Sequence, residues 1–398
     1  MSSAGLEGVR AAVQKHIDNH NLPGAVTVVA RHNKLVWYEA QGVRDPQTME
    51  PLRKDDLFRM MSSSKPVTAV AVMMMLEAGK LSLDDKISRF IPSFANPRVA
   101  VPPEGWEKAM AYPAARTEML AKVQLVPALR ELTIKDLLTH TNGLGTGGPG
   151  TMLGNVPWAP DGDLADYVTR LGRMPLDFQP GSRFSYSPIN AFDVLLRLVE
   201  ITSGVPADVF VRERILQPLD MHDTYFRVPS AKMPRLVSLN EWKNDKWVPA
   251  APLFGYGPTQ YCSGAGGLVS TARDYMQFEA MLLNRGALNG RRLLKPETVA
   301  LMASNHVGDL YKKAIPAFPA ITAGRGFGLG VSVTLEPELA KTGRGRGAFG
   351  WNGAYGTDSW ADPEFGVTAA FFVQSPSFIA TMMADADFQH AVRAAIVT

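Results

Sequence analysis

The sequence predicts an α/β fold of the α+β type, with one sheet assembled from both chain ends around a helical middle. Three observations predict it. β-rich runs fall at 25–30 and 35–40 and return only at 327–334, 354–360 and 367–374. Between residues 83 and 221 the pattern is helical segments joined by Pro- and Gly-rich loops. The stretch from Pro66 to Leu76 is apolar nearly all round, as in a helix through the middle of a protein. The expected division is an α/β domain from 1–85 with 222–398, and a mainly helical domain from 86–221.

Each element has its own justification. Residues 6–19 carry helical periodicity and stop before Pro23-Gly24. The first two β runs flank Arg31-His32-Asn33-Lys34, which reads as a hairpin turn. Pro66 is tolerated only in the first turn of a helix, so the buried helix starts near Ser62-Ser63-Ser64 and ends at Gly79. Helical segments follow at 134–139, 164–171 and 191–202, and 143–163 is the most loop-like stretch. The last two β runs flank Ala361-Asp-Pro-Glu-Phe-Gly366, a turn-bearing connection. A helix over 378–396 closes the chain. No repeat or low-complexity segment is present.

Composition narrows the function classes. Hydrophobic residues make up 46% and charged residues 20% of 398, the balance of an ordinary globular protein. Lys and Arg total 41 against 38 Asp and Glu, without a basic run, so nucleic acid is not an expected partner. The single cysteine, Cys262, excludes an internal disulfide and reads as a small packed side chain. The N-terminus lacks a basic segment followed by an apolar one, and the longest apolar run is too short to span a bilayer. The expectation is a cytoplasmic protein with no membrane association. Oligomeric state is left open, a homo-oligomer included.

Ser62 and Lys65 are the first residues that could carry chemistry. On a helix, positions i and i+3 share a face, which brings the Lys65 amine to the Ser62 hydroxyl. A serine attacks a carbonyl well only when a neighbouring base takes its proton, and a lysine does so when burial keeps it neutral. The spacing alone also fits a serine helix cap followed by a solvated lysine. Other schemes have less support: there is no Gly-x-Ser-x-Gly elbow and no His-Glu-x-x-His. His16 and His20 share a helix face and read as solvated, and the 18 methionines read as core filling.

The surrounding residues are more specific. Phe58-Arg-x-x-Ser62-x-x-Lys65-Pro-Val-Thr-Ala, followed by Leu76-Glu-x-Gly-Lys-Leu-x-Leu-Asp-Asp-Lys-Ile87, resembles the active-site helix of the class C β-lactamase-like serine hydrolases. That superfamily includes penicillin-binding proteins, D-aminopeptidases and family VIII carboxylesterases. Three further segments resemble the family in order: Leu132 to Leu144 with His140-Thr-Asn-Gly-Leu, Pro180-Gly-Ser-Arg-Phe-Ser-Tyr186-Ser187, and Gly264-Ala-Gly-Gly-Leu-Val-Ser-Thr-Ala-Arg-Asp274. The resemblance runs from about residue 22 to 374.

The resemblance implies an antiparallel sheet flanked by helices, a mainly helical domain, and a site between them. It makes Tyr186 the partner of the Ser62–Lys65 pair, and His140 a residue that orders its loop. Pro188 departs from the Tyr-x-Asn pattern of lactamases, with Asn190 two residues on as a substitute. Two segments compete for the third motif. Lys341-Thr-Gly343 is the lactamase triplet but leads into Arg-Gly-Arg-Gly, whereas Trp351-Asn352-Gly353 is followed by β-rich segments. Placed at Trp351, the motif implies an oxyanion hole from the backbone N–H groups of Ser62 and Ala354. Trp351 then stands where a cation usually receives a substrate carboxylate. Together these features imply a serine carboxylesterase acting on short- to medium-chain esters, with no cofactor or metal. The same residues would also serve a β-lactamase, D-amino-acid peptidase, amidase or acyltransferase.

Overall fold

The two ends of the chain meet in one sheet. The computed structural model describes residues 1–110, 112–157, 162–253, 261–315 and 319–397. Its main sheet has strands β1 (Gly24–Arg31), β2 (Lys34–Asp45), β3 (Glu50–Pro51), β4 (Arg325–Phe327), β5 (Ser332–Thr334), β6 (Phe349–Asn352), β7 (Asp358–Asp362) and β8 (Val367–Phe372). Their order is β4-β5-β6-β7-β8-β1-β2-β3, and every neighbouring pair is antiparallel. The seam between the ends is β1 against β8, with Val26 opposite Phe372 and Arg31 opposite Val367.

The helices that matter here are α1 (Ser3–Asp18), α2 (Lys65–Glu77), α3 (Ile134–Leu138), α4 (Leu164–Leu171), α5 (Asn190–Ser203), α6 (Ala272–Leu283) and α7 (Phe378–Ala395). α1 and α7 cover one face of the sheet. Val9 and Val13 meet Ala25, Val29, Ala369, Phe371, Phe388 and Val392 there. α2, α5 and α6 share the core on the other face with Val26, Val28, Ala370 and Phe372. Alternate residues of β1 and β8 thus enter two different cores. That is why these strands read as unbroken apolar runs rather than alternating ones.

Local chemistry places the ends of these elements. Ser2 caps α1, its hydroxyl accepting the Gly5 N–H at 3.0 Å. A Cβ on Gly5 would stand 2.5 Å from Ala395 Cα, so glycine lets α1 and α7 pack closely. His32 and Asn33, with φ of 49° and 62°, join β1 to β2 in the turn handedness that matches strand twist. Pro66 is the second residue of α2, where it costs little, against about 3 kcal/mol inside a helix. Every residue of α2 from Lys65 to Met73 is buried.

Several expectations need correction. The run 327–334 is two strands, not one: Gly330, at φ 83°, lies in the tight turn joining β4 to β5. Residues 354–357 form a turn before β7, with Gly356 at φ 88°. The helical middle contains a strand pair, Arg98–Val101 with Gln124–Pro127. The loop-like stretch 143–163 includes a short helix, Pro149–Gly154, and in part lies outside the described residues. His16 is not solvated. It is 3% exposed and its Nε2 lies 3.0 Å from Asp387 of α7, a carboxylate distant in sequence. Cys262 is buried, and burial pushes its thiol up to about 12. Among the described residues no helix is long and apolar enough to cross a membrane.

Candidate active site

Ser62 sits in a single 3-10 turn, Met61–Ser64, that runs directly into α2. The turn is anchored from behind. Phe58–Arg59 pairs with Val269–Ser270, Met60 N–H donates to Leu268 O at 2.9 Å, and Leu268 N–H donates to Ser64 Oγ at 3.1 Å. Tyr275 of α6 donates its hydroxyl to Ser63 O. Met61 holds φ at 48°, a left-handed conformation that costs a side-chain-bearing residue about 1–2 kcal/mol. These anchors hold it there.

Lys65 is fully buried one turn after Ser62, and its Nζ makes three hydrogen bonds. They run to Ser62 Oγ at 3.0 Å, Pro188 O at 2.6 Å and Ala265 O at 2.9 Å. An ammonium donates three such bonds. A neutral amine donates two to the carbonyls and offers its lone pair to the serine proton. The geometry accommodates both forms, which a proton shuttle requires. Nζ also lies 5.0 Å from the Tyr186 ring centroid and 5.6 Å from that of Phe192.

Tyr186 reaches the same oxygen from the helical middle of the chain: its hydroxyl is 2.7 Å from Ser62 Oγ. His140 fixes the loop on both sides of Tyr186. Ser185 N–H donates to His140 O at 3.0 Å, and Ser187 N–H donates to His140 Nδ1 at 3.1 Å. Burial, and then the Lys65 charge, hold the His140 imidazole well below its usual range, so it stays a neutral acceptor. Trp351, on β6, donates its indole N–H to the Tyr186 hydroxyl at 3.3 Å. Phe184, Tyr311 and Phe327 pack behind Tyr186 and Trp351 and form an apolar wall.

Of the residues singled out in the sequence, Ser62, Lys65 and Tyr186 are in mutual contact, and Trp351 joins them through Tyr186. Asn352, Gly353 and Ala354 follow Trp351 at the end of β6, and Asn352 and Ala354 are exposed. The Ala354 N–H has no acceptor among the described residues. Asn190 is not in this group. It is the first residue of α5, its Oδ1 accepts from Tyr167 at 3.0 Å, and no hydrogen bond joins it to Ser62, Lys65 or Tyr186. Lys341-Thr-Gly343 lies in a loop beside α7, where a Cβ on Gly343 would meet Gln389 O at 2.8 Å.

Sequence reasoning missed the second layer around Lys65. Asp193, fully buried on α5, accepts from Ser263 Oγ at 2.8 Å, from Ala265 N–H at 3.1 Å and from the Tyr261 hydroxyl. Burial pushes its carboxyl up to about 6, against these hydrogen bonds and the Lys65 charge. Asp193 thereby holds Ala265, whose carbonyl accepts a hydrogen bond from Lys65 Nζ. An acidic residue at the fourth position of an apolar helix was the available signal.

A partly exposed serine bonded to a buried lysine and a tyrosine, beside an antiparallel sheet covered by helices, is the architecture of the β-lactamase and penicillin-binding-protein serine hydrolases. The β-lactamase family model matches residues 9–394, and the chain belongs to that family. It is 36% identical over 383 residues to Protein Rv1367c of Mycobacterium tuberculosis, covering 93% of this chain and 90% of that one. It is 31% identical over 385 residues to Esterase EstB of Burkholderia gladioli, covering 90% and 87%. Among solved structures it matches EstCE1, a hydrolase with promiscuous acyltransferase activity, with a TM-score of 0.77 and 26% identity over 97% of this chain and 99% of that one. The protein is a serine hydrolase of β-lactamase fold.

Proposed function

We propose that the protein is a carboxylesterase that hydrolyses short- to medium-chain esters through an acyl-enzyme on Ser62. The observation that carries the proposal is the double hydrogen bonding of Ser62 Oγ, to Lys65 at 3.0 Å and to Tyr186 at 2.7 Å. Ser62 Oγ attacks the ester carbonyl carbon while its proton passes to the Lys65–Tyr186 pair. The carbonyl oxygen becomes an oxyanion facing the N–H groups of Ser62 and Ala354. When the tetrahedral intermediate collapses, the C–O bond to the alcohol breaks and the pair returns the proton to the leaving oxygen. Water, deprotonated by the same pair, then attacks the acyl carbon; the bond from Ser62 Oγ to the acyl group breaks, the pair returns the proton to Ser62 Oγ, and the acid leaves.

Two features favour esters over β-lactams and peptides. The family resemblance puts Trp351, an uncharged side chain that lies beside Tyr186, where a cation would receive a substrate carboxylate. Pro188 has no N–H to offer an amide substrate, and its carbonyl is already taken by Lys65. The esterase name of a relative at 31% identity points the same way. The site would lie between two parts of the chain: Ser62, Lys65 and Trp351 come from 1–85 with 222–398, and Tyr186 comes from 86–221.

The test is a panel of p-nitrophenyl esters of increasing acyl length beside a chromogenic cephalosporin. Butyrate turned over well above the cephalosporin is the expected result. Faster cephalosporin hydrolysis would replace the ester reading with a lactamase one. Transfer to an added alcohol would use the same acyl-enzyme, in line with the acyltransferase activity named for EstCE1. Product analysis with that acceptor present separates hydrolysis from transfer.

A further inference from the structure

The two N–H groups of the proposed oxyanion hole belong to turns almost three hundred residues apart, and they must converge on one oxygen. Two buried hydroxyls join those turns. Thr357 Oγ1 donates to Met60 O at 3.0 Å, on the turn that carries Ser62. Ser63 Oγ lies 3.0 Å from Thr357 Oγ1. The order Ser63 to Thr357 to Met60 O uses each hydroxyl proton once. From the other side, Gly353 N–H donates to Thr357 O at 2.6 Å, which closes the turn that carries Ala354.

The approach is closer than any other residue than glycine would allow at 353. A Cβ there would stand 2.2 Å from Met60 O and 2.3 Å from Thr357 Oγ1. Met61, the strained residue at φ 48°, lies between the carbonyl that Thr357 holds and Ser62 itself. Ser63 and Thr357 are both fully buried, so neither hydroxyl serves solvent or reaches substrate. A buried hydroxyl needs a partner wherever it sits. These two find theirs across the gap between the donors, and not within their own elements.

On this basis, and resting on the Ser62 acyl-enzyme reading above, we propose that Thr357 and Ser63 are positioning residues that hold the Ser62 and Ala354 N–H groups in register. Removing an oxyanion donor outright costs about 100-fold or more in kcat, and a misplaced one costs less. Thr357→Val keeps the shape and deletes the hydroxyl; it should lower kcat for p-nitrophenyl butyrate by about 10-fold or more, with KM changed less than about twofold. Thr357→Ser should recover most of the loss. Ser63→Ala should lower kcat in the same direction, and Ser63→Ala/Thr357→Val should be no worse than Thr357→Val alone, since the hydroxyls act as a unit.

The rate at which a fluorophosphonate labels Ser62 is measured on the same variants. That reaction needs the oxyanion hole but no ester. Parallel losses in labelling and kcat support the proposal. Wild-type labelling and kcat in a folded Thr357→Val protein would overturn it, whatever happens to its thermal midpoint. Should Thr357→Val fail to fold, Ser63→Ala decides: unchanged labelling there overturns the proposal equally. A wild type that is labelled at Ser62 but hydrolyses no ester would refute the esterase reading alone, with labelling still testing the clamp.

Discussion

Two buried ionic clusters lie on opposite faces of the same sheet, and only one of them is built for chemistry. On the α2 face Lys65 is held by two carbonyls, with the Asp193 carboxyl behind one of them. On the α7 face Arg344 pairs with Asp358, donates to Gln389 Oε1 at 3.1 Å and stacks over Trp360 at 4.4 Å. Nearby, burial and the Asp358 charge push Asp385 well above the usual carboxylate range. Both clusters are desolvated and both shift their acids. The difference is what they border: the first adjoins a partly exposed serine and an exposed turn whose Ala354 N–H has no acceptor among the described residues, while in the second Arg344 and Asp358 pair with each other beside α7. Perturbed titration alone therefore does not mark an active site. The Arg344–Asp358 cluster is structural.

This contrast predicts a double dissociation. Lys65→Ala should lower kcat by about 1,000-fold and leave the fold standing, as read by circular dichroism. Arg344→Ala strands Asp358 in the interior and should cost about 3–5 kcal/mol of stability, measured by urea unfolding, while kcat/KM per folded molecule holds. Loss of activity in fully folded Arg344→Ala would break the separation of the two faces.

A smaller effect tests burial without catalysis on the α2 side. Glu279 of α6 is fully buried, with Ser359 Oγ donating to one oxygen at 2.7 Å and no partner for the other among the described residues. Burial pushes its carboxyl from 4.5 up to about 8. The folded state thus keeps a proton that the unfolded chain releases. The sign follows: the contribution of Glu279 to stability is full below about pH 4.5 and is lost as pH rises through 4.5 to 8, by a few kcal/mol in all. Glu279→Gln should remove that slope. The variant and wild type should melt together near pH 5 and diverge near pH 9, with the variant more stable. Parallel curves at both pH values would contradict a protonated Glu279.

The smallest effect concerns the wall of the site. Trp351→Phe keeps the ring and deletes the N–H that reaches Tyr186. A hydrogen bond to a group that gains charge is worth about 1.5–3 kcal/mol, so kcat should fall roughly 10-fold or somewhat more, with KM little moved. A change confined to KM would make Trp351 a substrate contact only.

These comparisons also show what a sequence can carry. The Ser62–Lys65 contact was legible because it is local, three residues apart on one helix face. The sheet was legible because its strands cluster at both ends. Tyr186 and Trp351 lie 124 and 165 residues from their partners, and only the family resemblance pointed to them. The acceptors that hold Lys65 were invisible for a different reason: they are the carbonyls of Pro188 and Ala265, which any residue would supply. Distance along the chain hid the carboxylate beside His16, which arrives from α7. Strand ends were misread where a glycine reverses the chain, at Gly330 and Gly356.

The account turns on Ser62 as the atom that carries the acyl group. The direct measurement is acid quench of the enzyme during turnover of p-nitrophenyl butyrate, followed by peptide mass spectrometry, on wild type and Ser62→Ala. The account predicts a butyryl group on the peptide containing Ser62 in wild type, and neither label nor turnover in the variant. A butyryl group on another residue, or full activity in Ser62→Ala, would contradict it.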